Sequence, residues 1–286
     1  MKTDMKALLD DADERKYGVP AFNYSDIWDM LAILKAAEEE KAPIILSSNM
    51  LVVSQIGSHY CAAIGNCAAK RASVPIVHHL DHSFKFELCK ECMEAGYKSI
   101  MIDASKYPLD TNIAITKTVV EEAHPRGVFV EGELGRIKGK NNEGIVVSDD
   151  DDYLTDVEEA RRFVQETGVD SLAVGVGTAH GFYKGEPRID FPRLFQINKT
   201  VSAKLVLHGG TGISQDMIRE AIHCGINKVN VGTIIHTTYM NGMKRELNNS
   251  GENPYTIDIV QRVIPEIVEV VRNWIRAVKA NGKAAG

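Results

Sequence analysis

Eight short β-rich runs alternate with amphipathic helical stretches along this chain, and that alternation restricts the fold more than any single motif does. The runs cover residues 20–23, 43–47, 74–80, 99–103, 128–133, 171–175, 204–208 and 226–230. Uninterrupted apolar trios such as Ile44-Ile45-Leu46 and Leu205-Val206-Leu207 suit strands covered on both faces, as in a parallel sheet. Between the runs, Ile27, Met30, Leu31, Leu34 and Ala37 recur at three- and four-residue spacing and predict one buried helical stripe. Thr155-Asp156-Val157-Glu158 predicts a capping box opening a helix, and Ser214 an N-cap. Gly96, Gly168 and Gly225 stand where a helix C-terminus needs a left-handed residue before the next strand. Beyond the last run, Ile264, Ile267, Val268, Val271, Ile275 and Val278 mark a long terminal helix. Strand and helix alternating eight times without a long linker predict an α/β fold, the closed (β/α)8 TIM barrel, as a single domain over 1–286 with a C-terminal helical extension. An open doubly wound sheet is the competing arrangement, and no GxGxxG follows the first run to support its dinucleotide-binding version.

The 286 residues fit a fold that takes about 250 residues. A net charge of −6 gives no bulk electrostatic attraction to nucleic acid or an anionic membrane. The start, Met1 to Lys6, has no apolar signal core, and no apolar run approaches the ~20 residues of a membrane span. The expectation is a cytoplasmic protein with neither nucleic acid nor membrane as partner. Five cysteines, an odd number, argue against a disulfide framework. Cys89 and Cys92 form a CxxC, but within a helical stretch that places both on one apolar face, so buried thiols are expected there.

Polar residues collect at the C-terminal ends of seven of the eight runs: Asn23, Ser47 and Ser48, Asp81, Asp103, Glu133, His208 and Asn230. In a barrel of this kind those ends and the loops after them build the active site. His82, His180 and His208 each sit just past or at such an end, with Asp81 directly before the first. Three imidazoles leave one position on a zinc ion open for a substrate, and an adjacent carboxylate can move a proton there. In a regular strand Asp81 and His82 would face opposite sides, so both reach the barrel mouth only if the strand ends and the backbone turns. Glycines flank the other two histidines, in Gly177-Thr178-Ala179-His180-Gly181 and His208-Gly209-Gly210-Thr211-Gly212, where tight turns expose N–H groups to an anion. His78 and His79 read as strand-interior residues supporting the site, and His59, His124, His223 and His236 as ordinary structural histidines.

Almost the whole chain resembles the class II, zinc-dependent ketose-bisphosphate aldolases, the family of fructose-bisphosphate and tagatose-bisphosphate aldolases. The resemblance is carried, in family order, by Val19 to Asn23, His79 to His82, Met101 to Asp103, Glu131 to Gly135, Gly177 to Gly181, His208 to Gly212 and Lys228 to Val231. It implies that His82, His180 and His208 bind the catalytic zinc, with Asp103 and Glu133 offering an alternative, more buried or second metal position. It implies that Asp81 handles the proton on the C4 hydroxyl. Asn23, Ser48, Gly181, Lys184, Gly209, Gly210, Thr211, Asn230, Val231, Gly232 and Thr233 are the implied substrate-binding residues, those from Gly181 onward around the dihydroxyacetone phosphate half. A sugar phosphate substrate and a homodimer or homotetramer follow from the same resemblance, which leaves a monovalent cation open.

Two departures qualify it. Relatives have a mobile loop after Glu-Leu-Gly whose glutamate exchanges the proton on the enediolate carbon, but ungapped matching puts Asn141 there, and Asn cannot do acid–base work. Glu143, two residues on, is the carboxylate that a re-shaped loop would use. Bisphosphate-cleaving relatives also have arginine after the proline where this chain has Asn253-Pro254-Tyr255, and tyrosine does not replace a permanently charged guanidinium. Arg262 is one basic residue placed to compensate; otherwise the substrate is a ketose 1-phosphate with an uncharged or differently charged aldehyde half. Three other readings stay open: a metal-dependent hydrolase on the same barrel, a Schiff-base aldolase using Lys228, and a catalytically silent regulatory paralogue. The acidic run 149–152 reads as flanking the positive end of the helix near Thr155 rather than as a calcium site.

Overall fold

The computed structural model describes residues 3–135, 154–181 and 186–284. Eight parallel strands close into a barrel in sequence order: β1 (Val19–Asn23), β2 (Ile44–Asn49), β3 (Ile76–Ser83), β4 (Ser99–Ile102), β5 (Phe129–Leu134), β6 (Ser171–Val174), β7 (Lys204–Leu207) and β8 (Ile226–Val231), with β8 returning to pair with β1. Helices fill the crossovers, as parallel neighbours require. They are α1 (Met5–Glu14) ahead of the barrel, α2 (Ile27–Glu39), α3 (Met50–Ile56), α4 (Ser58–Arg71), α5 (Phe86–Ala95), α6 (Leu109–Ala123), α7 (Val157–Thr167), α8 (Phe191–Thr200), α9 (Gln215–His223) and α10 (Thr233–Asn248). A last helix, α11 (Thr256–Ala277), packs on α2 and α10. The core lies between strands and helices, where Ile44, Leu46, Leu80, Ile100, Val130, Leu172, Leu207 and Val229 are sealed from solvent. None of the described helices is long and apolar enough to cross a membrane.

Local chemistry explains most of the boundaries. Ser214 caps α9 by accepting from Met217 N–H, and Gly96 and Gly168 end α5 and α7 in the left-handed conformation, as expected from sequence. The box at α7 differs: Asp156, not Thr155, is the N-cap, accepting from the N–H groups of Glu158 and Glu159. Thr155 is taken instead by the sheet, donating to Leu134 O at 2.5 Å and accepting from Gly175 N–H at 2.8 Å. A side chain that can bridge two strand ends has more to satisfy there than at a helix start.

The α2 stripe is also displaced. Met30 and Ala37 are buried, but Ile27 and Leu31 are exposed, and the inward face runs through Asp29, Ile33 and Ala36 instead. Besides the barrel, α2 packs against α11 and not against α4, so Ile27, Leu31 and Leu34 are left with Ile64 and Cys67 lining an open groove between α2 and α4. Cys89 and Cys92 are buried free thiols, and burial pushes the Cys89 thiol up to about 12, as an unreactive pair should be.

On the outer face of β3, His78 lies under α4 with its ring against the Cα of Gly65; a Cβ there would stand 2.2 Å from Nδ1. Gly65→Ala should therefore destabilise the protein by about 1–3 kcal/mol through overpacking, read as a lowered denaturation midpoint. An unchanged midpoint would mean that α4 sits farther from β3.

Candidate active site

At the C-terminal end of the barrel a cavity of about 400 Å³ is lined from six strand ends and the loops after them, including Asn23, Asn49, Asp81, His82, His180, Gly181, Gly209, Gly210, Thr211, Asn230, Gly232 and Thr233. Asp81 and His82 line it side by side, and the reason is in β3. The strand does not end before them; it runs on to Ser83. Its register against β4 slips, with Leu80 opposite Ile100 and Ser83 opposite Ile102, so three steps on β3 match two on β4. His82 absorbs the extra residue in a left-handed conformation, φ +47°. The bulge defeats the alternation that would turn one of the pair outward. Holding a non-glycine residue there costs on the order of 1 kcal/mol.

Two asparagines from opposite sides of the β1/β8 seam fix the carboxylate of Asp81. Asn23 donates to Oδ2 at 2.7 Å and Asn230 to Oδ1 at 2.8 Å. Burial opposes a charge on this group, but the electropositive side formed by His82, His208 and Lys228, with the Asn23 hydrogen bond, outweighs it and holds Asp81 well below the usual carboxylate range.

Around it stand three imidazoles from β3, the loop after β6 and the end of β7. One ligand atom from each of His82, His180 and His208 lies within 4.8 Å of the others. A second group shares a vertex with the first: His82 with Asp103 and Glu133, all buried, within the same distance of one another. His82 Nδ1 is 3.3 Å from Asp103 Oδ2 and His208 Nε2 is 3.0 Å from Glu131 Oε1, contacts in which the imidazole donates to the carboxylate. Their other nitrogens, His82 Nε2 and His208 Nδ1, face each other across 2.9 Å. Burial, followed by the neighbouring His82, holds His208 far below the usual imidazole range, so it is neutral. Converging imidazoles backed by carboxylates are the donor set that suits a divalent transition metal.

The loop after β7 approaches the loop after β6 closely. Gly209 has φ +70°, and a Cβ on it would stand 2.4 Å from Ala179 O. Only glycine lets His208 and His180 share one cavity here. Across the cavity, α10 begins at Gly232 with no side-chain cap, so its first turn opens onto the same space.

Other expected site residues fall elsewhere. Ser48 points out of the barrel into the helix layer, 2.7 Å from the Tyr97 hydroxyl, and does not line the cavity; the alternation of β2 gives that place to Asn49. Val231 is buried outside the cavity for the same reason, one residue past Asn230. His236 is not merely structural, since it lines the mouth from the first turn of α10. Asn49 and His236 were missed because neither is a family signature; strand parity counted from Asp81's partner on β2 would have found Asn49. Arg262 binds Glu246 Oε2 at 2.9 Å and the Ser250 hydroxyl at 3.4 Å, away from the cavity and near a Tyr255 that is 69% exposed. Lys228 lines no part of the cavity and is sealed below it, held by Glu131, so the Schiff-base reading loses its nucleophile. Asn141, Glu143, Lys184 and the acidic run lie outside the described residues.

Comparison with known proteins bears on this geometry. The family described as fructose-bisphosphate aldolase class-II matches residues 3–283. A fructose-bisphosphate aldolase of Staphylococcus aureus is 40% identical over 251 residues, 87% of each chain. Among solved structures, the YdjI aldolase of Escherichia coli K12 superposes with a TM-score of 0.86 at 30% identity, covering 99% of this chain and 100% of its own. A putative fructose-1,6-bisphosphate aldolase of Coccidioides immitis superposes with a TM-score of 0.89 at 28% identity, covering 98% and 97%.

Proposed function

The chain belongs to the class II fructose-bisphosphate aldolase family, a family of lyases acting on sugar phosphates and generally dependent on a metal ion, and from that premise we propose the roles of its residues. His82, His180 and His208 hold a divalent ion, zinc by the choice of three imidazoles, and His82 with Asp103 and Glu133 forms an alternative position. When bound, such an ion polarises the substrate carbonyl and stabilises the negative charge left on the dihydroxyacetone phosphate half. The observation that carries this reading is the convergence of ring nitrogens from His82, His180 and His208 within 4.8 Å of one another beside an ionised Asp81.

Asp81 accepts the proton of the C4 hydroxyl as C3–C4 breaks and returns it in condensation, aimed by Asn23 and Asn230. Gly181, Gly209, Gly210, Thr211, Gly232 and Thr233 surround the phosphate of the dihydroxyacetone end, where glycine-rich turns and the uncapped start of α10 favour an anion. Glu143, as the enediolate proton exchanger, and Lys184, as a phosphate ligand, remain part of the proposal, as does a homo-oligomeric assembly. The enzyme should release dihydroxyacetone phosphate from fructose 1,6-bisphosphate, lose this activity on exhaustive chelation and recover it with Zn²⁺. Turnover that survives complete removal of metal rejects the reading.

A second reading concerns the aldehyde half. Among the described residues no lysine or arginine lines the cavity, Arg262 is committed to Glu246, and the wall remote from the glycine turns consists of Tyr24, Ser25, Asn49, Leu51 and Val52. Such a wall recognises hydroxyls and carbon better than a phosphate dianion. kcat/KM for fructose 1-phosphate should then lie within about tenfold of that for fructose 1,6-bisphosphate, because one lost charge-assisted contact is worth roughly that factor or more. A preference of 10³-fold for the bisphosphate, on the order of two or more such contacts, excludes this reading.

A further inference from the structure

Directly beneath the cavity the barrel is filled by a polar layer rather than by the branched aliphatics usual at that depth. Glu131 on β5 and Lys228 on β8 meet at its centre, both fully buried, with Lys228 Nζ donating to Oε2 at 2.7 Å and Oε1 at 2.9 Å. The remaining Lys228 donor is directed at His79 Nε2, 3.2 Å away, and His79 Nδ1 donates to the Ser99 hydroxyl at 2.7 Å. Burial, with the ammonium beside it, holds His79 well below the usual imidazole range and leaves Nε2 able to accept. Ser171 donates to Glu131 Oε2 at 3.3 Å, and the last acceptor position, on Oε1, goes to His208 Nε2 at 3.0 Å.

A pair of this kind is a poor device for stability. Desolvating two charges offsets most of their attraction, and a matched apolar pair would serve packing as well. What it does supply is direction. A carboxylate saturated by an ammonium can only accept, so it admits one tautomer of His208. That tautomer carries its proton on Nε2 and turns the Nδ1 lone pair up into the cavity toward His82.

We propose that Glu131, held by Lys228, is a positioning residue for the metal centre: it fixes His208 as the Nε2–H tautomer, so that Nδ1 is presented as a ligand. This rests on His208 being a ligand, as proposed above. Neither residue touches the cavity, so both act through His208.

The ammonium left unpaired by Glu131→Gln alone endangers folding. The informative variant is therefore Glu131→Gln with Lys228→Met, which removes both charges and keeps their volumes. Its affinity for Co²⁺, measured by chelator competition with the visible spectrum of the bound ion, should fall by roughly 10–100-fold with the metal-free melting temperature close to wild type. An affinity and spectrum equal to wild type overturn the proposal. Imidazole ¹⁵N correlation spectra of metal-free wild type provide a second readout that needs no such variant, with His208 assigned by His208→Gln: Nε2–H is expected, and Nδ1–H overturns the proposal. If His208→Gln binds Co²⁺ as wild type does, the ligand assignment itself has failed. If it loses the ion while the double variant does not, only the positioning role has.

Discussion

Asp81→Ala should lower kcat for cleavage by about 10²–10⁴-fold, the usual contribution of a positioned general base, while the protein still binds its metal. The expectation comes from how Asp81 is held. Its two oxygens accept from Asn23 and Asn230 at 2.7 and 2.8 Å, and it borders the imidazoles without being one of the grouped ligand residues. Its removal takes away a proton acceptor and leaves all three histidines in place. Asp81→Asn is the sharper test, because it keeps the shape and loses only the basicity; its kcat should fall as far, with metal content by elemental analysis equal to wild type. Near-normal kcat in either variant, or loss of metal from both, would remove Asp81 from proton transfer.

His82→Ala should abolish metal binding at both candidate positions, whereas His180→Ala should weaken only one. His82 is the vertex common to the two ligand groups; His180 belongs to the three-imidazole group alone, and Asp103 and Glu133 to the buried one. Lewis-acid stabilisation is worth several kcal/mol, and each 1.4 kcal/mol is a decade in rate, so activity should fall on the order of 10³-fold. Equilibrium dialysis with Zn²⁺ separates the two variants. His82→Ala retaining a stoichiometric ion would show that the shared vertex does not govern the centre.

Much of this was legible along the chain, and the misses have a common cause. The strand–helix alternation gave the barrel, the polar strand ends gave the face on which the site is built, and the flanking glycines gave the turns that carry His180 and His208. Ser48 and Val231 failed because a one-residue shift in a strand reverses the side a residue faces, and parity cannot be anchored without knowing the neighbour's register. Thr155 failed because sequence shows the helix it precedes but not the strand ends, Leu134 and Gly175, that claim its hydroxyl. The α2 stripe failed because a helix covered from two directions buries a broader arc than one period predicts.

Local periodicity and residue type by themselves determined the order of elements, their parallel closure and the end of the barrel where chemistry collects, because those properties repeat within a few residues of one another. Tertiary structure alone decided that Asp81 and His82 share a cavity, since the bulge at His82 exists only against β4. It alone joined Glu131 to Lys228, 97 residues apart in the chain. Closing the sheet sets which side chains meet across its interior, and no stretch of sequence short enough to be read locally contains both partners.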